Sequence, residues 1–202
     1  MGLSKLLALI SIVVLLAGCG KGKELPPLPA TGTVVAFGDS LTFGTGASGE
    51  QSYPTILQGL ISREVINAGV PGEKTGDGVQ RLSLLLAMFQ PKLLILCHGF
   101  DELQNQGDYD QVARNVRAMV DIAKSRGVGV VLVAAPKIGV MTAPAMLYGS
   151  VALQAEVPFE AGIVSHILND KSLAPDGTHP NALGYRLLAE QLAKKLKDAG
   201  AL

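Results

Sequence analysis

The chain has 202 residues, which suits one domain with a full-sized core. Its 17 Lys+Arg balance 17 Asp+Glu, and that neutrality gives no electrostatic footing for binding nucleic acid. The apolar fraction is high, 48%, and the charged fraction low, 17%, with part of the apolar excess concentrated at the start of the chain.

Residues 1–19 read MGLSKLLALISIVVLLAGC. Lys5 supplies a positive charge, and an apolar stretch from Leu6 to Leu16 follows, broken only by Ser11. That stretch is short of the about 20 residues a spanning helix needs. Small residues Ala17 and Gly18 precede Cys19, as at a cleavage site. The run Leu16-Ala17-Gly18-Cys19 resembles a bacterial lipobox. The resemblance implies that Cys19 is diacylated, becomes the mature N-terminus and tethers the protein to a membrane of the cell envelope. With Gly20 rather than aspartate next, the expected destination is the periplasmic side of the outer membrane if the host is Gram-negative. The alternative is an ordinary signal peptide or short anchor. Residues 20–32, GKGKELPPLPATG, are rich in Gly and Pro without periodicity and read as a flexible tether, which leaves 33–202 as the folded domain. Lipidation would leave Cys97 alone in the mature chain, a small buried hydrophobe with no disulfide partner.

Beyond the tether, short apolar runs alternate with amphipathic segments. Strands are predicted over 33–37, 64–68, 92–97 (KLLILC) and 128–134 (VGVVLVA), the last two continuous enough to be covered on both faces. Helices are predicted over 53–63, with Ser52 as N-cap and Pro54 in the first turn, and over 75–89, where Pro91 follows. Two more are predicted over 109–126, ended by Gly127, and 183–197, with lysines in its last turn. Residues 144–154 read as a helix, and 158–164 are ambiguous. The alternation implies βαβ units and a mainly parallel sheet between two helical layers. Such sheets bind ligands at the carboxyl ends of their strands, and Ser40 stands just past the end of the first.

A serine hydroxyl needs a base to take its proton, usually a histidine oriented by a carboxylate. The chain offers His98, His166 and His179. His179 lies in Pro175-Asp176-Gly177-Thr178-His179-Pro180-Asn181, where an acid three residues earlier on a tight turn can lie beside the ring; a plain polar turn capping the last helix fits the same spacing.

Gly38-Asp39-Ser40-Leu41 near the start and Asp176-x-x-His179-Pro180 near the end resemble the GDSL, or SGNH, hydrolase family. Between them, Asn67-Ala68-Gly69-Val70-Pro71-Gly72 resembles the family's second block, N-x-G-x-x-G, and His98-Gly99-Phe100-Asp101 stands where the third block belongs. Asn181-Ala182-Leu183-Gly184-Tyr185 resembles the continuation of the last. The order and spacing are similar to bacterial esterases, arylesterases and lysophospholipase-like thioesterases. The resemblance implies a three-layer α/β/α sandwich on a five-stranded, mainly parallel, flavodoxin-like sheet. It implies Ser40 as nucleophile, His179 as general base, Asp176 as support for the imidazole, and the backbone N–H groups of Ser40 and Gly72 as oxyanion donors. It implies no cofactor or metal, a small ester or thioester substrate and a monomer. The third block departs from the family's G-G-N-D: the simplest alignment puts Phe100 where an asparagine would donate to the oxyanion. Losing one such donor costs about 10²–10³ in rate. Either the enzyme is slower, or His98, Gln104 or Asn105 substitutes, or hydrolysis has been given up for binding on a retained fold. An O-acetyl esterase of envelope carbohydrate is a further alternative.

Three other signals carry less. Thr42 stands where the G-x-S-x-G nucleophile elbow needs its second glycine. Gly44-Thr45-Gly46-Ala47-Ser48-Gly49 is a literal G-x-G-x-x-G, but the second strand lacks the terminal acid of a dinucleotide site, so these glycines read as a wall of the active site. The histidines are far apart and no metal-ligand spacing occurs.

Overall fold

A computed structural model describes residues 24–137 and 143–202. The lipobox-like run with Cys19 lies outside the described residues, as does the start of the expected tether. The elements are β1 (Val34–Gly38), α1 (Ser40–Phe43), α2 (Tyr53–Ile61), β2 (Val65–Gly69), α3 (Thr75–Phe89), β3 (Leu93–Cys97), α4 (Phe100–Gln104), α5 (Tyr109–Ser125), β4 (Gly129–Val133), β5 (Pro136–Lys137), β6 (Ala143–Pro144), α6 (Met146–Ala155), β7 (Phe159–Glu160), α7 (Ile163–Asn169) and α8 (Ala182–Asp198).

The main sheet runs β2-β1-β3-β4-β7 and every pairing in it is parallel. β1 and β3 are buried along their whole length, which is why Val34-Val35-Ala36-Phe37 and Leu93-Leu94-Ile95-Leu96-Cys97 carry no alternating polar residue. α2 packs on α8 on one face, while α3, α5 and α6 pack in series on the other. The fold is the expected α/β/α sandwich with five strands. Its chain order places a switch point between β1 and β3: the chain leaves β1 toward β2, then crosses back to β3 on the other side. The crevice beyond their carboxyl ends is where a ligand fits such a sheet. The loops after β1 and β3 carry Ser40 and His98–Asp101.

The expectation of a free tether over 20–32 fails for its described part. Leu25 and Leu28 are buried, and their N–H groups donate to Ala199 O (2.7 Å) and Ala201 O (2.8 Å). Arg63 Nε donates to Pro29 O at 2.8 Å. Prolines 26, 27 and 29 keep the segment extended, and its two leucines gain more by covering the foot of the sheet than they would lose in chain entropy. The folded unit therefore begins before residue 33.

The ambiguous 158–164 stretch is a two-residue edge strand, β7, followed directly by the start of α7. Cys97 is buried as expected, and burial pushes its thiol well above the usual range, so it offers no thiolate.

Candidate active site

β1 ends at Gly38, where the sheet leaves no room for a side chain: a Cβ would stand 1.8 Å from Cys97 O on the neighbouring strand. The next residue, Asp39, is fully buried and caps α1. Its Oδ1 accepts from Leu41 N–H (3.4 Å), and its Oδ2 from Gly99 N–H (2.9 Å) and Asp101 N–H (3.3 Å). One side chain thus ties the end of β1 to the loop after β3. Burial raises its carboxyl to about 6, and the neighbouring Asp101 adds to the rise, against the pull of His98 and the backbone donors. Ser40 follows, buried at the first position of α1.

His179 arrives on the loop between α7 and α8. Asp176 Oδ1 accepts from the N–H groups of Thr178 and His179, both at 2.7 Å, so the carboxylate folds its own turn. Its Oδ2 stands 3.4 Å from His179 Nδ1, with Thr178 Oγ1 at 3.2 Å from the same nitrogen. Burial would raise the Asp176 carboxyl, but the backbone hydrogen bonds outweigh it and hold the group down at about 2. Across the ring, His179 Nε2 lies 3.3 Å from Ser40 Oγ. The structure therefore brings Ser40, His179 and Asp176 into one line. The glycine-rich loop explains itself at Gly46, where a Cβ would stand 2.7 Å from Pro180 O and 3.0 Å from His179 Cβ. Tyr185 Oη holds that loop by donating to Thr45 O at 2.8 Å.

Gly72 enters with φ +78, a conformation that favours glycine. Its N–H and that of Ser40 converge, as expected of an oxyanion hole, but they converge on a side chain. Asp101 Oδ2 accepts from Gly72 N–H at 2.7 Å and from Ser40 N–H at 3.3 Å, while Asp101 Oδ1 accepts from Ser40 Oγ–H at 2.6 Å. Phe100, expected at the asparagine's place, does not face these amides. It is fully buried and meets the His179 ring edge-on, with centroids 6.2 Å apart. The reason is the start of α4 at Phe100: successive residues point in directions about 100° apart on a helix, so aiming residue 101 at Ser40 turns residue 100 into the core.

Two of the three substitute donors, Asn105 and His98, fare no better. Asn105 Nδ2 is spent on Asp101 O at 2.7 Å. His98 is fully buried and turns away, with Nε2 2.9 Å from Glu73 Oε2. Burial acts to raise Glu73, yet hydrogen bonds from His98 and Arg81 bring its carboxyl down to about 2. A carboxylate only accepts, so His98 Nε2 carries the proton. Arg81 grips Glu73 through two contacts of 2.6 Å and lies over the Phe37 ring at 4.1 Å. This His98–Glu73–Arg81 strut, which sequence reading missed, fixes the loop after β3 from below. Asn67, of the second block, is structural: its Nδ2 donates to Phe43 O at 3.1 Å and its Oδ1 accepts from Gly69 N–H at 3.0 Å. Among the described residues no group of three His, Cys, Asp or Glu could hold a metal ion.

Residues 36–187 match the GDSL-like lipase/acylhydrolase family. Over 198 residues the chain is 29% identical to Esterase TesA of Pseudomonas aeruginosa, an alignment covering 91% of this chain and 97% of that one. Over 178 residues it is 25% identical to thioesterase 1/protease 1/lysophospholipase L1 of Escherichia coli K12, covering 83% and 85%. Among solved structures, the psychrotrophic esterase EstA from Pseudoalteromonas sp., inhibited by monoethylphosphonate, superposes with a TM-score of 0.74 at 18% identity, covering 82% of this chain and 96% of that one. The last likeness speaks for the fold alone.

Proposed function

Because the chain belongs to the GDSL-like lipase/acylhydrolase family, we propose that it hydrolyses carboxylic esters or thioesters through an acyl-enzyme on Ser40. The observation that carries this reading is convergence: the nucleophile lies 3.3 Å from His179 Nε2 while two backbone N–H groups, of Ser40 and Gly72, aim at one oxygen position beside it. Ser40 Oγ attacks the acyl carbon and its proton passes to His179 Nε2, leaving a tetrahedral intermediate whose oxyanion the two N–H groups receive. Collapse expels the alcohol or thiol, protonated by His179. Water, deprotonated by the same nitrogen, then releases the acid. Asp176 holds the imidazole with its proton on Nδ1.

The names of the similar proteins, an esterase and a thioesterase/lysophospholipase, support acyl esters and thioesters as the substrate class. A second reading, a non-catalytic binding protein on this fold, is favoured by one feature: Asp101 fills the position the oxyanion would take. A fluorophosphonate probe decides between them. The intact protein should gain one adduct per chain, and Ser40→Ala should gain none. A wild type and an Asp101→Asn variant that both stay unlabelled would move the case to binding. A chain-length series of p-nitrophenyl esters beside an acetylated sugar then separates an acyl esterase from an envelope O-acetyl esterase.

The protein acts, on this reading, as a monomer from the periplasmic face of the cell envelope, held by a lipid on Cys19. The lipobox-like run and the charge at Lys5 support this placement. Labelled palmitate fed to expressing cells should mark the wild type and leave Cys19→Ala unmarked and unprocessed; equal labelling of the two would remove the anchor.

A further inference from the structure

We infer that Asp101 is an internal ligand of the oxyanion hole, a side chain that must leave before Ser40 can react. The inference rests on the serine-hydrolase reading and adds to it the residue that limits the rate of the resting enzyme. Its carboxylate takes three things that turnover needs. It accepts from Gly72 N–H at 2.7 Å and from Ser40 N–H at 3.3 Å, so both backbone donors are engaged before any substrate arrives. It also accepts the only proton of Ser40 Oγ, across 2.6 Å, whereas His179 Nε2 stands 3.3 Å away. One hydroxyl proton cannot serve both. With the proton on the Asp101 side, the base has nothing to take.

The carboxylate also stands where negative charge develops. A carbonyl oxygen entering beside it would meet a repelling charge that grows as the oxyanion forms, which is the reverse of what an oxyanion hole supplies. Attack therefore requires the side chain to swing out. Its surroundings permit this. The backbone of residue 101 is fixed, its N–H donating to Asp39 Oδ2 at 3.3 Å and its C=O accepting from Asn105 Nδ2 at 2.7 Å. The side chain, by contrast, has solvent to turn into, because Asp101 is only half-buried. Rotation about χ1 alone would free the two amides and return the Ser40 proton to His179. The buried Asp39 thus acts as the hinge post, and Asp101 as the latch that closes on the nucleophile.

Asp101→Asn and Asp101→Ala test the latch. The asparagine variant removes the charge and offers an N–H donor at the same place, so kcat/KM on a short p-nitrophenyl ester and the second-order rate of phosphonylation should both rise, by about tenfold to 10³-fold. The alanine variant empties the hole without adding a donor and should rise less. Two measurements keep failures apart. The Gly72 amide proton, read by NMR in a Ser40→Ala background, should lie downfield with Asp101 present and move upfield in Asp101→Ala. An unmoved Gly72 signal overturns the occupancy itself, whatever the activity. If the signal moves and the wild type reacts with phosphonate, but neither folded variant reacts faster, the latch alone fails. If the signal moves and no form reacts, the hydrolase reading fails and the latch with it.

Discussion

Ser40→Ala is expected to lower kcat on an activated ester by on the order of 10⁴–10⁶, and His179→Ala by a similar factor. On the proposed mechanism the two residues form one device: without the hydroxyl there is no acyl acceptor, and without the imidazole at 3.3 Å the hydroxyl keeps its proton. Their losses should accordingly fail to add, the double variant being about as slow as either single one. Asp176→Asn should cost less than either. Asp176 is 55% exposed and 3.4 Å from Nδ1, so water can take part of its place, and Thr178 Oγ1 already stands beside the same nitrogen. Because Asp101 occupies both oxyanion donors, the ratios are best read twice, in the natural chain and in Asp101→Asn. If the latch operates, Ser40→Ala has the larger effect in the second background. Steady-state rates normalised by phosphonate titration of active sites provide the measurement. A Ser40→Ala protein within tenfold of the natural rate in both backgrounds would remove Ser40 as nucleophile.

The frame of the molecule was legible wherever one physical signal acted alone. The apolar runs of β1, β3 and β4 are buried on both faces and need no partner in sequence to be recognised. α3 begins at Thr75 and ends at Phe89 as its periodicity and Pro91 imply. Legibility ended where an element is shorter than the period that betrays it. α1 and α4 are single turns, and β7 is a pair of residues whose buried Glu160 is satisfied from a distant helix by Gln191 Nε2 at 2.9 Å. The same limit produced the error at the site. An alignment of H-G-F-D with G-G-N-D assigns positions but not directions. Since α4 starts at Phe100, direction changes with every residue, and the side chain delivered to the amides is that of Asp101. The acid was visible in the block. That a single-turn helix would aim it at Ser40 was not. Leu25 and Leu28 were hidden differently, as two apolar residues in a composition that otherwise reads as linker.

Gly38→Ala should be among the most destabilising single-methyl changes available in the chain. The added Cβ would lie 1.8 Å from Cys97 O, 2.8 Å from Cys97 C and 2.4 Å from Thr42 Oγ1. Two of these atoms are backbone of β3, the strand paired with β1 in register Gly38↔Cys97, at the centre of the sheet. A flexible side chain could move aside; a central strand cannot do so without breaking its ladder on both sides. Thr42 is held as well, donating to the same Cys97 O at 3.1 Å. Overpacking of this kind costs about 3 kcal/mol or more, a large part of the roughly 5–15 kcal/mol that holds a domain together. The expected fall in Tm is about 6–12 °C for a chain of this size. Gly59→Ala supplies the control. Gly59 is exposed within α2, nothing lies within 4 Å of its added Cβ, and alanine there should stabilise by up to about 1 kcal/mol. Urea unfolding of the two variants side by side reads the difference. If Gly38→Ala unfolds at the same midpoint as Gly59→Ala, β1 and β3 are not in contact at that point, and the carbonyl of Cys97 is not what demands glycine at the end of the strand that presents Ser40.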